Sequence, residues 1–134
     1  MTMKRILIID DEQDIREATQ ICLEVSGEWE VLTASSGAEG LVTAASEQPD
    51  AILLDVMMPD MDGLTTFQHL QAHPLTQHIP VILLTAKAQP AEQRQFTQIQ
   101  VAAVITKPYD PFTLASQIEH VLTAAKLWNN LVIK

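Results

Sequence analysis

Basic residues are scarce: 8 lysines and arginines stand against 17 aspartates and glutamates in 134 residues, a net charge of −9. That balance argues against nonspecific binding to DNA, RNA or an anionic membrane. The one cysteine, Cys22, excludes an internal disulfide and fits a reducing compartment. No apolar run approaches the ~20 residues that a bilayer-spanning helix needs. No signal-peptide pattern precedes the first apolar run after Lys4 and Arg5. Repeats and low-complexity stretches are missing as well. What is there, 47% hydrophobic and 19% charged residues, is the composition of a folded chain long enough for one core. The expectation is a cytoplasmic domain with no direct nucleic-acid partner and no membrane partner.

Strand-like and helix-like segments alternate, which predicts a parallel sheet with helices on both faces. Strands are predicted at 4–9, 30–34, 51–55, 81–84 and 103–106 from buried runs of branched residues. Helices are predicted at 14–25, from Ser36 through Ala45, at 64–72, at 91–98 and from Pro111 through Leu122. In the first helix Ile15, Ala18, Cys22 and Val25 fall at helical spacing on an inner face. Ser36 and Glu39 form a capping-box pattern. The loop 56–63 is rich in turn formers: Asp60 and Asp62 read as loop residues, and Gly63 as a source of permissive backbone geometry. The fold class is therefore α/β, a doubly wound five-stranded parallel sheet with five helices. Its strand order is expected to be 2-1-3-4-5, the flavodoxin-like solution, with the domain at 1–126 and a short tail at 127–134.

Four of the apolar runs stop at residues that can handle a phosphoryl group. The first ends in Asp10 and Asp11, the third in Asp55, the fourth in Thr85 and the fifth just before Lys107. In open parallel sheets ligands bind beyond the carboxyl ends of the strands, where strand order reverses. Strands 1, 3, 4 and 5 then stand side by side at about 4.8 Å per step, and their tips line one crevice. The second run ends in Thr33 and Ala34 and brings no such group.

Two carboxylates about 5 Å apart repel by roughly 3 kcal/mol at an effective dielectric near 20. Three of them call for a compensating charge. Lys107 supplies one, and a divalent cation would supply the rest. Mg²⁺ suits oxygen ligands and phosphate, whereas the lack of Cys and His at the tips disfavours zinc. A carboxylate there can act as nucleophile and form an aspartyl phosphate. The Thr85 hydroxyl can then bond an arriving phosphoryl oxygen, a contact that exists in one state only.

This ordered set resembles the receiver domain of two-component response regulators. The likeness rests on IIDDE at Asp10 and Asp11, LLDVMMPDMDG from Leu53 to Gly63, IPVILLTA through Thr85, and KPY at Lys107. It covers about 4–126, with thirty residues from Asp55 to Thr85 and twenty-two from Thr85 to Lys107. The resemblance implies that Asp55 accepts phosphate from a phosphohistidine on a sensor histidine kinase or histidine phosphotransfer protein. It implies direct Mg²⁺ ligands at Asp11, Asp55 and the Met57 carbonyl, with Asp10 acting through water. Thr85 becomes the switch hydroxyl and Lys107 the phosphate-contacting base. It also implies a Lys107–Pro108 bond that is often cis, and output through the 91–98 helix, the fifth strand and the last helix. One departure stands out: Val104 occupies a position where the family often has Tyr or Phe, and Tyr109 does not replace it. Met57 and Lys87 flank the entry to the site and imply an aspartyl phosphate longer-lived than the fast-cycling chemotaxis type.

The expected function is a stand-alone phosphorylation switch that acts through a separate effector protein or relays phosphate onward. It promotes its own phosphorylation and dephosphorylation and is not otherwise an enzyme. Two rivals are a phosphorylation-independent interaction module and a Mg²⁺-dependent phosphohydrolase. The latter would need a lid, and no insertion is large enough to make one. His69, His73 and His78 read as surface decoration and Cys22 as core packing. The tail, with Leu127, Trp128, Leu131 and Val132, either packs back on its own domain or makes a homodimer or partner contact. Asn129 and Asn130 weaken a continuous helix there.

Overall fold

The computed structural model describes residues 4–25, 27, 29–56, 58, 62–85, 101–106 and 113–132, with backbone alone at 106 and 125–132. The described elements are β1 (Lys4–Ile9), α1 (Gln13–Val25), β2 (Trp29–Ala34), α2 (Gly37–Glu47), β3 (Ala51–Asp55), α3 (Gly63–Ala72), β4 (Val81–Thr85), β5 (Ala103–Thr106) and α4 (Leu114–Val132). The five strands form one parallel sheet in the order β2-β1-β3-β4-β5. This is the expected doubly wound, flavodoxin-like topology. The helix predicted at 91–98 lies outside the described residues.

Strand alternation divides the core between the two faces of the sheet. Leu7, Ile9, Ile52, Leu54 and Leu83 face α2 and α3, meeting Ala44, Phe67 and Leu70. Ile6, Ile8, Leu53, Ile82 and Leu84 face α1 and α4, meeting Leu23, Leu114, Ile118 and Leu122. Because both faces are covered, β3 and β4 are buried at every residue and read in sequence as unbroken apolar runs.

The inner face of α1 differs from expectation. Thr19 and Leu23 are its buried residues, Ile15 and Cys22 are half-buried, and Ala18 and Val25 are exposed, Val25 to 79%. A buried threonine is tolerated because its hydroxyl donates to the Ile15 carbonyl one turn back, at 2.8 Å. The Ser36 cap is present: its hydroxyl accepts from the Glu39 N–H at 3.1 Å. The Glu39 carboxylate does not close the predicted box but accepts from the Ser35 hydroxyl at 2.9 Å. At the other end α2 stops on Gln48 in the left-handed region, φ 50°, where its side-chain amide donates to the Ala44, Ala45 and Leu75 carbonyls. α4 runs unbroken to Val132, through Asn129 and Asn130, where a weakened helix was expected.

The amino end of the sheet is pinned by ion pairs. Arg5 reaches the Glu47 carboxylate at 2.7 Å and the Glu47 carbonyl at 2.7 Å, and its N–H donates to Asp50. Lys4 pairs with Glu119 of α4 at 3.1 Å. The carboxyl end carries the polar tips. No helix of the described residues is long and apolar enough to cross a membrane.

Candidate functional site

Sheet register brings the tips together. Ile9 pairs with Ala34 on one side and with Leu54 on the other, so Asp10 follows at the level of Asp55. Asp55 pairs with Leu84, which sets Thr85 one residue further along the neighbouring strand. Thr85 in turn pairs with Thr106, the residue before Lys107. Lys107 itself lies outside the described residues, as do Met57, Lys87, Pro108 and Tyr109.

Asp10, Asp55 and Thr85 are all buried, and Asp11 is half-buried. Each of the three aspartates offers a carboxylate oxygen, and these oxygens lie within 4.8 Å of one another. Among the described residues no other group of histidine, cysteine or acidic side chains is arranged to hold a metal ion. The fit to a hard divalent cation can be tested on that spacing. Ligand oxygens at about 2.0–2.1 Å from Mg²⁺ lie no more than ~4.2 Å apart. A spread of 4.8 Å is therefore within a few tenths of an ångström of closure. Oδ1 of Asp11 is also buried with no hydrogen-bond partner, as expected of an acceptor meant for something other than protein. An all-oxygen donor set of this charge suits Mg²⁺.

The turn that delivers the acidic pair is held from three directions. The Asp10 N–H donates to the Ala34 carbonyl at 3.1 Å, which carries the β1–β2 ladder one residue beyond the strand. Its carboxylate accepts from the Glu12 N–H at 3.0 Å. Its carbonyl accepts from the Arg16 guanidinium, one turn into α1, at 2.8 Å. Sequence reasoning did not find Arg16, because its partner is a main-chain carbonyl that no side-chain pattern announces.

On the β3 side, the Val56 N–H donates to the Leu84 carbonyl at 3.0 Å, and the Gly63 N–H donates to the Val56 carbonyl at 2.9 Å. The loop thus returns to the strand end it left. Asp62, expected as a loop residue, is the cap of α3: its carboxylate accepts from the Thr65 N–H at 2.7 Å. Gly63 was expected to supply unusual dihedrals, yet the described glycine at positive φ is Gly27. Gly63 is needed for room instead, since a Cβ there would meet the Asp55 main chain. The predicted histidine decoration is exposed, and His73 uses Nδ1 to accept from the Leu75 N–H. Val104 is half-buried against the core on the α2–α3 face, a branched aliphatic side chain two strands from Asp55.

Residues 6–119 match the response regulator receiver domain family. The chain is 35% identical over 124 residues to the alkaline phosphatase synthesis transcriptional regulatory protein PhoP of Bacillus subtilis, covering 92% of this chain and 50% of that one. It is 37% identical over 122 residues to the phosphate regulon transcriptional regulatory protein PhoB of Pseudomonas aeruginosa, covering 91% and 53%. It spans about half the length of these curated relatives. Among solved structures it resembles the chemotaxis protein CheY4 of Vibrio cholerae, with a TM-score of 0.83 and 28% identity over 90% of this chain and 99% of that one. A sheet order, an acidic triad and a family match that agree over the same residues leave one assignment: the chain belongs to the response regulator receiver domains of two-component signalling.

Proposed function

We propose that Asp55 is the phosphoacceptor of a Mg²⁺-dependent switch whose donor is a phosphohistidine on a sensor kinase or phosphotransfer protein. The observation that carries this reading is the convergence of three carboxylates within 4.8 Å, with Thr85 on the adjoining strand. In the transfer a carboxylate oxygen of Asp55 forms a bond to phosphorus. The P–N bond of the donor breaks, and its electron pair stays on the imidazole nitrogen. Asp10, Asp11, Asp55 and the Met57 carbonyl are the groups that would hold Mg²⁺. Bound there, the ion would offset the charge of the carboxylates and of the phosphoryl oxygens.

The protein's own part is positioning. Asp55, buried at the end of β3, is held in line by its pairing with Leu84 of β4 and by the Val56 N–H, which donates to the Leu84 carbonyl. Thr85 donates its hydroxyl to the phosphoryl oxygen once the group has arrived, and the Lys107 ammonium pairs with another. Residues 1–126 form the receiver unit, and 127–134 are its C-terminal tail. At Val104 the aliphatic side chain has no ring to swing into space vacated by Thr85. The readout therefore differs from that of receivers with Tyr or Phe at this position, and a separate effector protein senses the phosphorylated state.

The test is incubation with acetyl phosphate or beryllofluoride, with and without Mg²⁺, comparing the native chain with Asp55→Asn by intact mass and phosphate-affinity gel. One modification that requires Mg²⁺ and is lost in Asp55→Asn is the expected result. A folded protein that binds no Mg²⁺ and takes no phosphoryl group, even from a panel of phosphorylated histidine donors, overturns the reading in favour of a phosphorylation-independent module.

A further inference from the structure

Gly63 is the first residue of α3 and is buried. A Cβ built there would lie 2.5 Å from the Asp55 carbonyl oxygen, 2.6 Å from the Val56 Cα and 3.1 Å from the Asp55 carbonyl carbon. All three neighbours are backbone atoms, so none can rotate aside. α3 cannot simply back away either. Its Phe67 and Leu70 are sunk in the core, and its first turn is tied to Asp62 by the Thr65 N–H at 2.7 Å and the Thr66 hydroxyl at 2.9 Å. Pressure from a side chain at 63 would therefore fall on the Asp55–Val56 peptide.

We propose that Gly63 is a positioning residue for the acceptor carboxylate. The missing Cβ lets the head of α3 press against the Asp55 main chain, and that contact fixes where the Asp55 side chain stands relative to Asp10 and Asp11. This inference rests on the reading of Asp55 given above. Relieving the closest contact from 2.5 Å to an ordinary 3.4 Å requires a movement of about 0.9 Å. A misplacement of that size in a transfer reaction costs on the order of a hundredfold in rate.

Gly40 supplies the control. A Cβ there would also collide, but with the Ile9 side chain, which can change rotamer, and not with the main chain of Asp55. Gly63→Ala and Gly40→Ala are compared with the native chain for phosphorylation by acetyl phosphate at saturating Mg²⁺, followed by intact mass, and for thermal stability. Gly63→Ala is expected to lower the maximal rate by at least about tenfold with the half-saturating acetyl phosphate concentration unchanged. Gly40→Ala, although less stable, stays within about twofold of the native rate.

A folded Gly63→Ala that is phosphorylated at the native rate overturns the proposal, as does equal slowing in the two variants. If Gly63→Ala is unfolded in plain buffer, the comparison is run in trimethylamine N-oxide or sucrose, which strengthen burial. A chain still unfolded there assigns Gly63 to the fold alone and also overturns it. A native protein that takes no phosphoryl group overturns the Asp55 reading instead, so the two failures are distinct.

Discussion

Replacing Asp11 by asparagine should make the metal-free protein more stable. The three carboxylates at the strand ends lie within 4.8 Å of one another, and each pair at that distance repels. Coulomb's law gives about 3.5 kcal/mol at an effective dielectric of 20 and about 0.9 kcal/mol in bulk water. Asp10 and Asp11 are adjacent in sequence, so their repulsion persists in the unfolded chain and cancels. The term specific to the folded state is the one between Asp11 and Asp55. Asp11 is half-buried, which places that term between the two limits, at about 1–2 kcal/mol. A gain of that size raises the melting temperature by roughly 3–10 °C for a chain of this length.

The assay is thermal and urea unfolding of the native chain and Asp11→Asn, each in chelator and in Mg²⁺. In chelator the variant melts higher. In Mg²⁺ the native chain gains about 2.7 kcal/mol when the ion stands at a hundred times its dissociation constant, and the variant gains much less. Crossing of the two stabilities on adding Mg²⁺ is the signature. If Asp11→Asn is less stable than the native chain in chelator, the carboxylates are not in net repulsion and the electrostatic argument fails.

Arg16→Lys keeps the charge but is too short to hold the Asp10 carbonyl at 2.8 Å, and should weaken Mg²⁺ binding by about tenfold in an isothermal titration. An affinity within twofold of native would show that the turn holds without it. Leu83, fully buried between β3 and β5, should cost about 2–5 kcal/mol as Leu83→Ala in urea unfolding. Ser36→Ala removes the cap of α2 and should cost about 0.5–2 kcal/mol without altering phosphorylation. A phosphorylation defect in that variant would mean that α2 is coupled to the site.

The sheet was legible because buried parallel strands leave a plain mark: Ala51–Leu54 and Val81–Leu84 are apolar runs, and each stops at a polar residue. With the strand order 2-1-3-4-5, Asp10, Asp55 and Thr85 fall together at one end of the sheet, which the sequence alone indicates. The faces of α1 were not legible in the same way. Apolar spacing pointed to Ala18 and Val25, but Thr19 occupies the inner face because its hydroxyl is satisfied within the helix. Gly63 was marked as a turn residue for its dihedral freedom, while the structure requires its small volume. That distinction depends on how closely α3 approaches β3, a tertiary distance that composition does not carry. Arg16 was missed for a related reason: a guanidinium bonded to a carbonyl looks the same in sequence as one in solvent.

The strand order has a kinetic consequence. Lys4 pairs with Trp29, Ile6 with Ala51, Ile52 with Val81 and Ile82 with Ala103, so every ladder joins residues about twenty or more positions apart. No local hairpin can seed the sheet, and each pairing must close a long loop before it is rewarded. Refolding from urea should be slow for a chain of this size, and weakening β1, β3 or β4, each of which pairs on both sides, should slow it more than weakening the edge strands β2 or β5. Until β1 is in place, β3 presents a bare apolar edge, and that interval is when the chain is most exposed to aggregation.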